Sequence, residues 1–250
     1  MDASALARLI REHQPCVVLT GAGVSTDSGI PDFRSPTGLW AEFDPAEYAS
    51  LSAFRADPAK VWRFYKPRIA MLSEAMPNAA HRALAALEGA GFIEAVVTQN
   101  IDLLHERAGT RNVVEVHGSI RSASCPGCGL SYALDDVVAI LDDADAPACR
   151  ACGAVLKPDV VFFGELLPPA AIENAFALAR AACLLLVVGS ALEVHPVAAL
   201  PEETLLGGGR LAIVNDGPTP YDRRADLKLE GNAAEILRSV AAELAPMAGG

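Results

Sequence analysis

The sequence predicts an α/β protein whose main sheet is parallel and covered by helices on both faces. Short apolar runs typical of buried strands lie at residues 16–20, 95–98, 113–116, 184–188 and 211–214. Helical patterns lie before, between and after these runs, at residues 5–13, 79–88, 170–181 and 233–244. Strands that alternate with helices form parallel sheets, because each connecting helix covers a face of the sheet. Two closely spaced pairs of cysteines add the prediction of a small metal-binding module.

The size and composition of the chain limit the classes of protein it can belong to. Its 250 residues allow one large domain with a small module, and 52% of them are hydrophobic, which suits a packed core. The longest apolar run, at residues 181–188, fits a buried strand and is too short to span a membrane, so we expect no membrane partner. The net charge of −11 argues against nucleic acid as the main partner and suits lysine-bearing peptides.

The cysteines carry the most specific single signal. Cys125 and Cys128 form one C-x-x-C pair, Cys149 and Cys152 form another, and twenty residues separate the pairs. This spacing predicts a tetrahedral zinc ion whose ligands all come from the protein, which leaves no open position for substrate. We therefore expect a structural zinc site, with the reacting groups elsewhere.

The cysteines and the N-terminus also bear on the compartment. The first residues, Met-Asp-Ala-Ser, lack the basic and then apolar layout of a secretory signal. Paired C-x-x-C motifs without such a signal indicate metal-bound thiolates in a reducing compartment, so we expect a cytoplasmic protein. The other cysteines, Cys16 and Cys183, are predicted to be core residues.

Polar residues and glycines stand where the predicted strands end. They are Gly21, Gln99, Asn100, His117, Gly189, Ser190, Asn215 and Asp216. Ligands of open parallel sheets bind beyond the carboxyl ends of the strands, so these residues predict a nucleotide site at that edge.

The loop after the first strand is rich in glycine. Gly21, Ala22 and Gly23 would let a pyrophosphate approach the backbone at the start of a helix. The G-x-G-x-x-G fingerprint is incomplete because Thr26 stands at its third glycine, and a tight turn without a ligand is the alternative. Residues 28–34 (SGIPDFR) follow, and we interpret them as a lid over the nucleotide. The acid, the aromatic residue and the base of this lid are Asp32, Phe33 and Arg34.

Two further strand ends carry polar side chains. Residues 98–105 (TQNIDLLH) offer amides and a carboxylate that would hold a carboxamide and a ribose; the alternative is a turn capped by Asn100 or Asp102. His117 ends the next strand beside the predicted nucleotide, which favours a catalytic role over the structural role of most single histidines. The other histidines, at positions 13, 81, 105 and 195, have no comparable setting.

We divide the chain into three parts on this basis. Residues 1–34, 78–120 and 157–250 are predicted to form a Rossmann-like domain that binds the nucleotide. Residues 35–77, with their prolines and aromatic side chains, are predicted to be a helical insertion, and residues 121–156 a zinc-binding module.

Taken together, these motifs resemble the sirtuins, a family of NAD-dependent protein-lysine deacylases. The resemblance covers nearly the whole chain. Besides the cysteines it rests on GAGVSTDSGIPDFR (21–34), TQNIDLLH (98–105), VHG (116–118), KPDVVFFGE (157–165), GSALEVHP (189–196) and IVN (213–215). It implies NAD as co-substrate, one structural zinc ion, and acyl-lysine proteins or peptides as substrates.

The resemblance also implies roles for individual residues. Gly21, Ala22, Gly23, Thr26, Asp32, Phe33 and Arg34 would contact NAD around its phosphates and nicotinamide ribose. Gln99, Asn100, Ile101 and Asp102 would line the nicotinamide pocket, with Asn100 and His117 as catalytic residues. Gly189, Ser190, Asn215 and Asp216 would hold the adenosine half. An extended peptide would lie between two edges, with Phe163, Gly164 and Glu165 on one and Leu192, Glu193 and Val194 on the other.

The implied reaction is a transfer of the acyl group to the ribose of NAD. As the glycosidic bond breaks, positive charge builds on the ribose and the acyl oxygen of the substrate captures C1′. His117 would then act as general base on a ribose hydroxyl, for which an ordinary histidine pKa of about 6.5 is suited at neutral pH. The products would be free lysine, nicotinamide and O-acyl-ADP-ribose.

A second pattern bears on the acyl group. In desuccinylase-like sirtuins an alanine is followed sixteen residues later by Tyr-x-x-Arg, and Ala49, Tyr65 and Arg68 have this spacing. The resemblance implies room for a longer acyl chain and a site for its carboxylate; the alternative is a pair on a helix surface. Pro67 lies between the pair and is expected to bend the helix, and Ala191 lacks a hydroxyl that the family usually has there. We expect a deacylase that accepts acetyl and also succinyl or malonyl groups.

Other functions compete with this one. Protein mono-ADP-ribosyl transfer would use the same NAD site with a protein nucleophile in place of the acyl oxygen. A non-catalytic module that binds NAD or acyl-lysine would not need His117, Asn100 and Asp102. A zinc-ribbon adaptor would not explain the glycine-rich motif at residues 21–34.

Overall fold

The main sheet of the protein is parallel throughout, as predicted. The structure, a computed structural model, describes residues 3–33 and 35–245. The strands of this sheet are β1 (Cys16–Thr20), β2 (Ala95–Thr98), β3 (Val113–Glu115), β7 (Leu184–Val188), β8 (Arg210–Val214) and β9 (Leu227–Leu229). They lie in the order β3-β2-β1-β7-β8-β9, and every pairing is parallel. The chain order reverses beside β1, so the carboxyl ends of β1, β2 and β7 meet at the point where such sheets bind ligands.

Helices cover both faces of this sheet. On one face, α1 (Ala3–Glu12), α6 (Ala79–Gly89) and α11 (Ala233–Leu244) share an apolar core with the strands. On the other, α9 (Pro169–Ala181) and α10 (Leu200–Leu206) share a second core. Successive side chains of a strand point to opposite faces, so Val18 belongs to the first core and Leu19 to the second.

A second, antiparallel sheet extends from the end of the main one. It contains β5 (Ser131–Ala133), β4 (Gly118–Ser124) and β6 (Lys157–Val160), in that order, with α8 (Leu134–Asp143) packed against it. β4 begins directly after His117, which ties this sheet to the end of β3. β4 and β6 both include residues outside the predicted zinc-binding module, 121–156. The boundaries of the three parts stay a prediction.

Residues 35–77 form helices. They are α2 (Leu39–Glu42), α3 (Pro45–Tyr48), α4 (Leu51–Ala56) and α5 (Pro58–Glu74). Their aromatic side chains share a third core with the small sheet, and the buried indole of Trp62 donates to the carbonyl oxygen of Leu156 at 2.7 Å. α5 contains Pro67 and continues to Glu74. A short helix, α7 (Leu104–Arg107), lies between β2 and β3.

Some local expectations differ from the structure. The glycine-rich loop leads into two single 3-10 turns, at Ala22–Val24 and Thr26–Ser28, instead of an α-helix, because Gly29 turns left-handed (φ +81°) and stops the turn. Cys183 is exposed, since it lies in the turn before β7, whereas Cys16 is buried in β1 as expected. β9, absent from the predicted strands, forms an edge of the sheet.

The helices also bear on membrane association. Within residues 3–33 and 35–245, no helix combines the length and apolar character needed to cross a bilayer.

Candidate functional site

The glycine-rich loop packs directly on the turn after β7. The amide of Gly21 donates to the carbonyl of Val188 (3.1 Å), and that of Gly23 to the carbonyl of Gly189 (2.9 Å). A Cβ on Gly21 would lie 2.7 Å from the carbonyl oxygen of Gly189, and a Cβ on Gly189 would lie 2.3 Å from the amide of Val24. Only glycines permit this approach, which brings two strand ends together as a narrow cradle for a ligand.

Amide side chains of residues 99–100 bridge these strand ends. The Gln99 side chain donates to the hydroxyl of Ser190 (2.9 Å), and its backbone amide donates to the carbonyl of Thr20 (3.0 Å). The buried side chain of Asn100 donates to the carbonyl of Gly21 (3.2 Å). The two amides are therefore held in fixed orientations between β1, β2 and β7.

His117 follows β3 at the same edge of the sheet. Its Nδ1 lies 3.0 Å from the carbonyl oxygen of Gln99. Because a carbonyl only accepts, Nδ1 carries the proton, and the lone pair of the neutral ring is on Nε2. The His117 carbonyl accepts from the amide of Val161 (2.9 Å), which holds this residue against the chain after β6. The half-buried ring can thus take up a proton through Nε2.

A buried polar network lies behind Asn100. The hydroxyl of Ser25 donates to Asp102 (2.7 Å), so its oxygen accepts from the Asn100 side chain (3.2 Å) and from Nε2 of His81 (3.4 Å). Nδ1 of His81 accepts from the amide of Asn78 (3.3 Å). With one nitrogen donating and the other accepting, the ring is neutral, and burial lowers the pKa of His81 to about 4.

A second buried histidine, His105, is connected to Asn100 through two threonine hydroxyls. The hydroxyl of Thr20 donates to that of Thr98 (2.9 Å), so it accepts from Nε2 of His105 (2.9 Å). The Thr98 hydroxyl in turn accepts from the backbone amide of Asn100 (3.0 Å). Burial lowers the pKa of His105 to about 3, and the nearby His81 ring, with centroids 4.8 Å apart, adds to that shift.

The sequence offers His81 and His105 no setting comparable to that of His117, and in the structure both are buried rings behind the strand ends. His81 lies on the buried face of α6 among Ala80, Ala83 and Leu84. A histidine on an apolar helix face is the signal that could have identified this residue.

The described residues of the predicted lid, 28–33, lead into a short loop. The Asp32 side chain accepts from the amide of Ser35 (2.8 Å), and the ring of Phe33 stacks on that of Trp40 (centroids 5.2 Å apart). The Thr26 hydroxyl donates to the carbonyl of Gly23 (3.1 Å). Arg34 lies outside the described residues. Trp40, which the sequence did not single out, also contacts Phe163, so the lid reaches the predicted peptide edge.

The residues predicted for the adenosine half follow the next strand. Asn215 and Asp216 come directly after β8, whose last residue, Val214, accepts from the amide of Gly189 (2.9 Å). The Asn215 side chain donates to the carbonyl of Gly217 (2.9 Å), which shapes the loop.

The two predicted peptide edges differ in exposure. Phe163 and Gly164 are exposed, and Glu165 is half-buried. On the other edge, Leu192 is buried with a left-handed backbone (φ 55°), and Val194 is half-buried. The first edge is therefore the more exposed of the two, and Leu192 contributes buried apolar contact on the second.

Two of the predicted acyl-pocket residues, Ala49 and Tyr65, adjoin the first edge. Ala49 is buried, and its carbonyl accepts from the amide of Phe163 (2.9 Å). Tyr65 is also buried, which excludes a pair on the helix surface, and its ring packs on that of Phe162 (centroids 5.7 Å apart). The guanidinium carbon of Arg68 lies 3.5 Å from the Phe64 ring centroid, and burial lowers the pKa of Arg68.

The four cysteines converge beside the small sheet. Their sulfurs lie within 4.8 Å of one another, with Cys125 to Cys152 at 3.4 Å and Cys128 to Cys149 at 3.6 Å. Tetrahedral zinc with bonds of about 2.3 Å separates its sulfurs by about 3.8 Å, so this set fits the ion. The fully protein-derived ligand set leaves zinc a structural role.

Comparisons with known proteins agree on one family. The family model described as "Sir2 family" matches residues 21–196. The chain is 44% identical to an NAD-dependent protein deacetylase of Thermotoga maritima over 235 residues, which is 94% of this chain and 95% of the relative.

Solved structures of Sir2 proteins have the same fold. One holds a deacetylated p53 peptide and 3′-O-acetyl ADP ribose; it is 42% identical, with a TM-score of 0.94 over 97% of this chain and 98% of that one. Another, Sir2Tm bound to a propionylated peptide, is 41% identical, with a TM-score of 0.90 and the same coverage.

Proposed function

The chain belongs to the Sir2 family, and we propose that it removes acyl groups from protein lysines in an NAD-dependent reaction. Its relatives carry the names of NAD-dependent deacetylases and deacylases, and their structures hold acylated peptides. The products are free lysine, nicotinamide and O-acyl-ADP-ribose, the last in line with the O-acetyl ADP ribose held by a relative.

The observation that carries this proposal is the orientation of His117 at the ligand edge of the sheet. Its Nδ1 donates to Gln99, so Nε2 is the atom that takes a proton. We propose His117 as general base toward a ribose hydroxyl, a role that contributes about 10²–10⁴ in rate. NAD, when bound, supplies the ribose carbon that accepts the acyl oxygen and the nicotinamide that leaves.

The amide and carboxylate cluster suits the nicotinamide end of NAD. Asn100 and Asp102 are linked through Ser25, which fixes the orientation of the Asn100 side chain. We propose that Gln99, Asn100, Ile101 and Asp102 bind the carboxamide and ribose, and that Asn100 orients the group at the reacting carbon. The neutral state of His81 and His105 suits this role, because a buried cation there would oppose the positive charge that builds on the ribose.

The remaining predicted contacts with NAD come from the loops that follow β1, β7 and β8. We propose that Gly21, Ala22, Gly23 and Thr26 face the phosphates, that Asp32, Phe33 and Arg34 close over them, and that Gly189, Ser190, Asn215 and Asp216 hold the adenosine half. An extended peptide pairs with the edges at 163–165 and 192–194.

The range of acyl groups is part of the proposal. Ala49 and Tyr65 adjoin the edge at Phe162 and Phe163, and Arg68 lies one helical turn beyond Tyr65, where its guanidinium would bind a terminal carboxylate. We propose that acetyl and also succinyl or malonyl groups are removed. The zinc-binding thiolates favour a reducing compartment, and we propose the cytoplasm.

The decisive experiment is a panel of acetyl-, propionyl-, succinyl- and malonyl-lysine peptides, assayed for NAD-dependent nicotinamide release and followed by mass spectrometry. Peptide deacylation with equimolar O-acyl-ADP-ribose supports the proposal. A protein that gains the mass of ADP-ribose without losing an acyl group would indicate mono-ADP-ribosyl transfer instead. Binding of NAD without turnover of any peptide would leave a non-catalytic module.

A further inference from the structure

The side chain of Lys157, the first residue of β6, is mostly buried, although lysine side chains usually extend into solvent. Only 18% of the side chain is exposed. Its ammonium lies 2.9 Å from Glu165, 2.8 Å from the carbonyl of Val160 and 3.0 Å from that of Pro158. An ammonium has three hydrogens, so every donor is used within a single stretch of nine residues, 157–165.

Glu165 transmits this contact to the turn that forms the first peptide edge. The carboxylate oxygen that pairs with Lys157 also accepts from the amide of Phe162 (2.8 Å). The amide of Glu165 donates back to the carbonyl of Phe162 (3.0 Å), and Gly164 between them is left-handed (φ +87°). The ammonium–carboxylate pair therefore closes the turn in which Phe163 and Gly164 are exposed.

The strand that Lys157 begins also reaches the catalytic edge of the sheet. The amide of Val161 donates to the carbonyl of His117 (2.9 Å), and Val160 pairs with Gly118. By binding the carbonyl of Val160, Lys157 holds the strand that connects His117 to the peptide edge.

The inner side of this turn is held by the Phe163 amide and carbonyl, which bond Ala49 and Leu51, whereas its outer side is open. A cleft of about 610 Å³ borders Lys157, Glu165 and Leu166, and the Leu166 side chain is 92% exposed. If the ammonium were removed, Glu165 would remain half-buried without its cation.

We propose that Lys157 is a positioning residue for substrate: it sets the backbone of the peptide edge, and thereby the affinity for acyl-lysine peptides, without touching NAD. This inference rests on the proposed deacylase function. Lys157→Met keeps an unbranched side chain, one atom shorter, and removes the charge. We expect it to raise the KM for an acetyl-lysine peptide about tenfold or more and to leave the KM for NAD nearly unchanged.

The matched control is Lys60→Met. Lys60 also pairs with a carboxylate (Glu47, 2.8 Å) and lies over a ring (Tyr48, 4.5 Å), but on a helix of the insertion. It should leave the peptide KM unchanged. Lys157→Arg keeps a cation that reaches Glu165 and should recover most of the affinity. In a double-mutant cycle, adding Glu165→Gln to Lys157→Met should raise the peptide KM by less than twofold further.

The outcomes distinguish a failure of the proposed deacylase function from a failure of the proposed role of Lys157. If the wild-type chain releases no nicotinamide with any acyl-peptide, the deacylase function fails, and the inference with it. If the wild type is active and Lys157→Met keeps its peptide KM, only the inference is overturned. Equal losses in the KM for NAD, the KM for peptide and thermal stability would indicate a merely structural lysine and also overturn it. Should Lys157→Met not fold, Lys157→Gln must raise the peptide KM selectively, or the inference fails.

Discussion

Nδ1 of His117 lies 3.0 Å from the carbonyl oxygen of Gln99, so the residue proposed as base is oriented by the backbone of a residue proposed to bind NAD. This bond sets both the tautomer and the direction of the ring. Movement of the 99–102 segment would therefore misplace the base as well as the cofactor pocket.

Replacing His117 tests the base directly. We expect His117→Ala to fold, because the ring is only half-buried, and to lose deacylation by about 10²–10⁴-fold in kcat. Product formation is measured as O-acyl-ADP-ribose, with circular dichroism as the check on folding. His117→Tyr should behave alike. A rate near that of the wild type in either variant would refute the role.

The acyl pocket is tested by Arg68→Met. If the Arg68 guanidinium binds a terminal carboxylate, kcat/KM for a succinyl-peptide should fall about 10–100-fold, while that for an acetyl-peptide changes by less than about twofold. Arg63→Met, on an exposed position of the same helix, serves as control. Equal losses on both peptides would remove the carboxylate site from the proposal.

The zinc site has a hydrogen-bond donor that is not a ligand. The Tyr132 hydroxyl accepts from the amide of Arg150 (2.8 Å), so its proton points to the sulfur of Cys149, 3.3 Å away. Such outer contacts typically change metal affinity 10–100-fold. We expect Tyr132→Phe to release zinc about tenfold faster to a chromophoric chelator, and Tyr221→Phe, distant in the chain, to release it at the wild-type rate.

Removal of zinc should lower activity only indirectly, by destabilising the fold around the four cysteines. Chelation is expected to destabilise the small sheet, and activity should return when zinc is restored. If apo-protein kept its melting temperature and Tyr132→Phe held zinc as firmly as the wild type, the structural role would be wrong.

Acid should destabilise the protein through its buried histidines. The pKa of His81 is lowered to about 4 and that of His105 to about 3, from about 6.5 in the unfolded chain. Between these values the unfolded state binds more protons, so the stabilisation is complete above pH 6.5 and is lost as the pH falls towards 4 and then 3. For His81 alone this is on the order of 3 kcal/mol.

Urea unfolding at pH 7 and pH 4.5 measures this loss. His81→Asn, which cannot titrate, should flatten the pH dependence of the unfolding free energy, and His13→Asn, at a half-buried position outside this network, serves as control. Identical pH profiles for both variants would contradict the neutral histidine pair.

The close approach of two loops predicts a sharp difference between two glycines. Gly189 and Gly208 both have positive φ (60° and 81°), but an added Cβ would meet Val24 and Gly23 backbone only at Gly189. We expect Gly189→Ala to lower the unfolding free energy by about 3 kcal/mol or more, and Gly208→Ala by about 1 kcal/mol. Similar melting temperatures for the two variants would show that the loops can separate without loss.

Much of the fold follows from local sequence patterns. The apolar runs at 16–20, 95–98 and 184–188 coincide with β1, β2 and β7, because a strand buried on both faces excludes polar residues along its whole length. The cysteine spacing also suffices for the metal set, since two short knuckles bring their own ligands close.

Other features depended on contacts between distant segments. β9 is a short edge strand with a weak apolar signal, and no local pattern distinguishes it from a loop. The packing of the loop after β1 on Gly189, about 170 residues further along the chain, is another such feature.

The sequence by itself determined the parallel sheet, the metal-binding cysteines and the polar residues at the strand ends, because these depend on spacing and burial along one segment. Only the tertiary structure decided that His81 and His105 lie behind Asn100, that Tyr65 is buried, and that Lys157 closes the turn at Glu165. Hydrogen-bond partners and burial arise where separate segments meet, and no spacing within one segment specifies them.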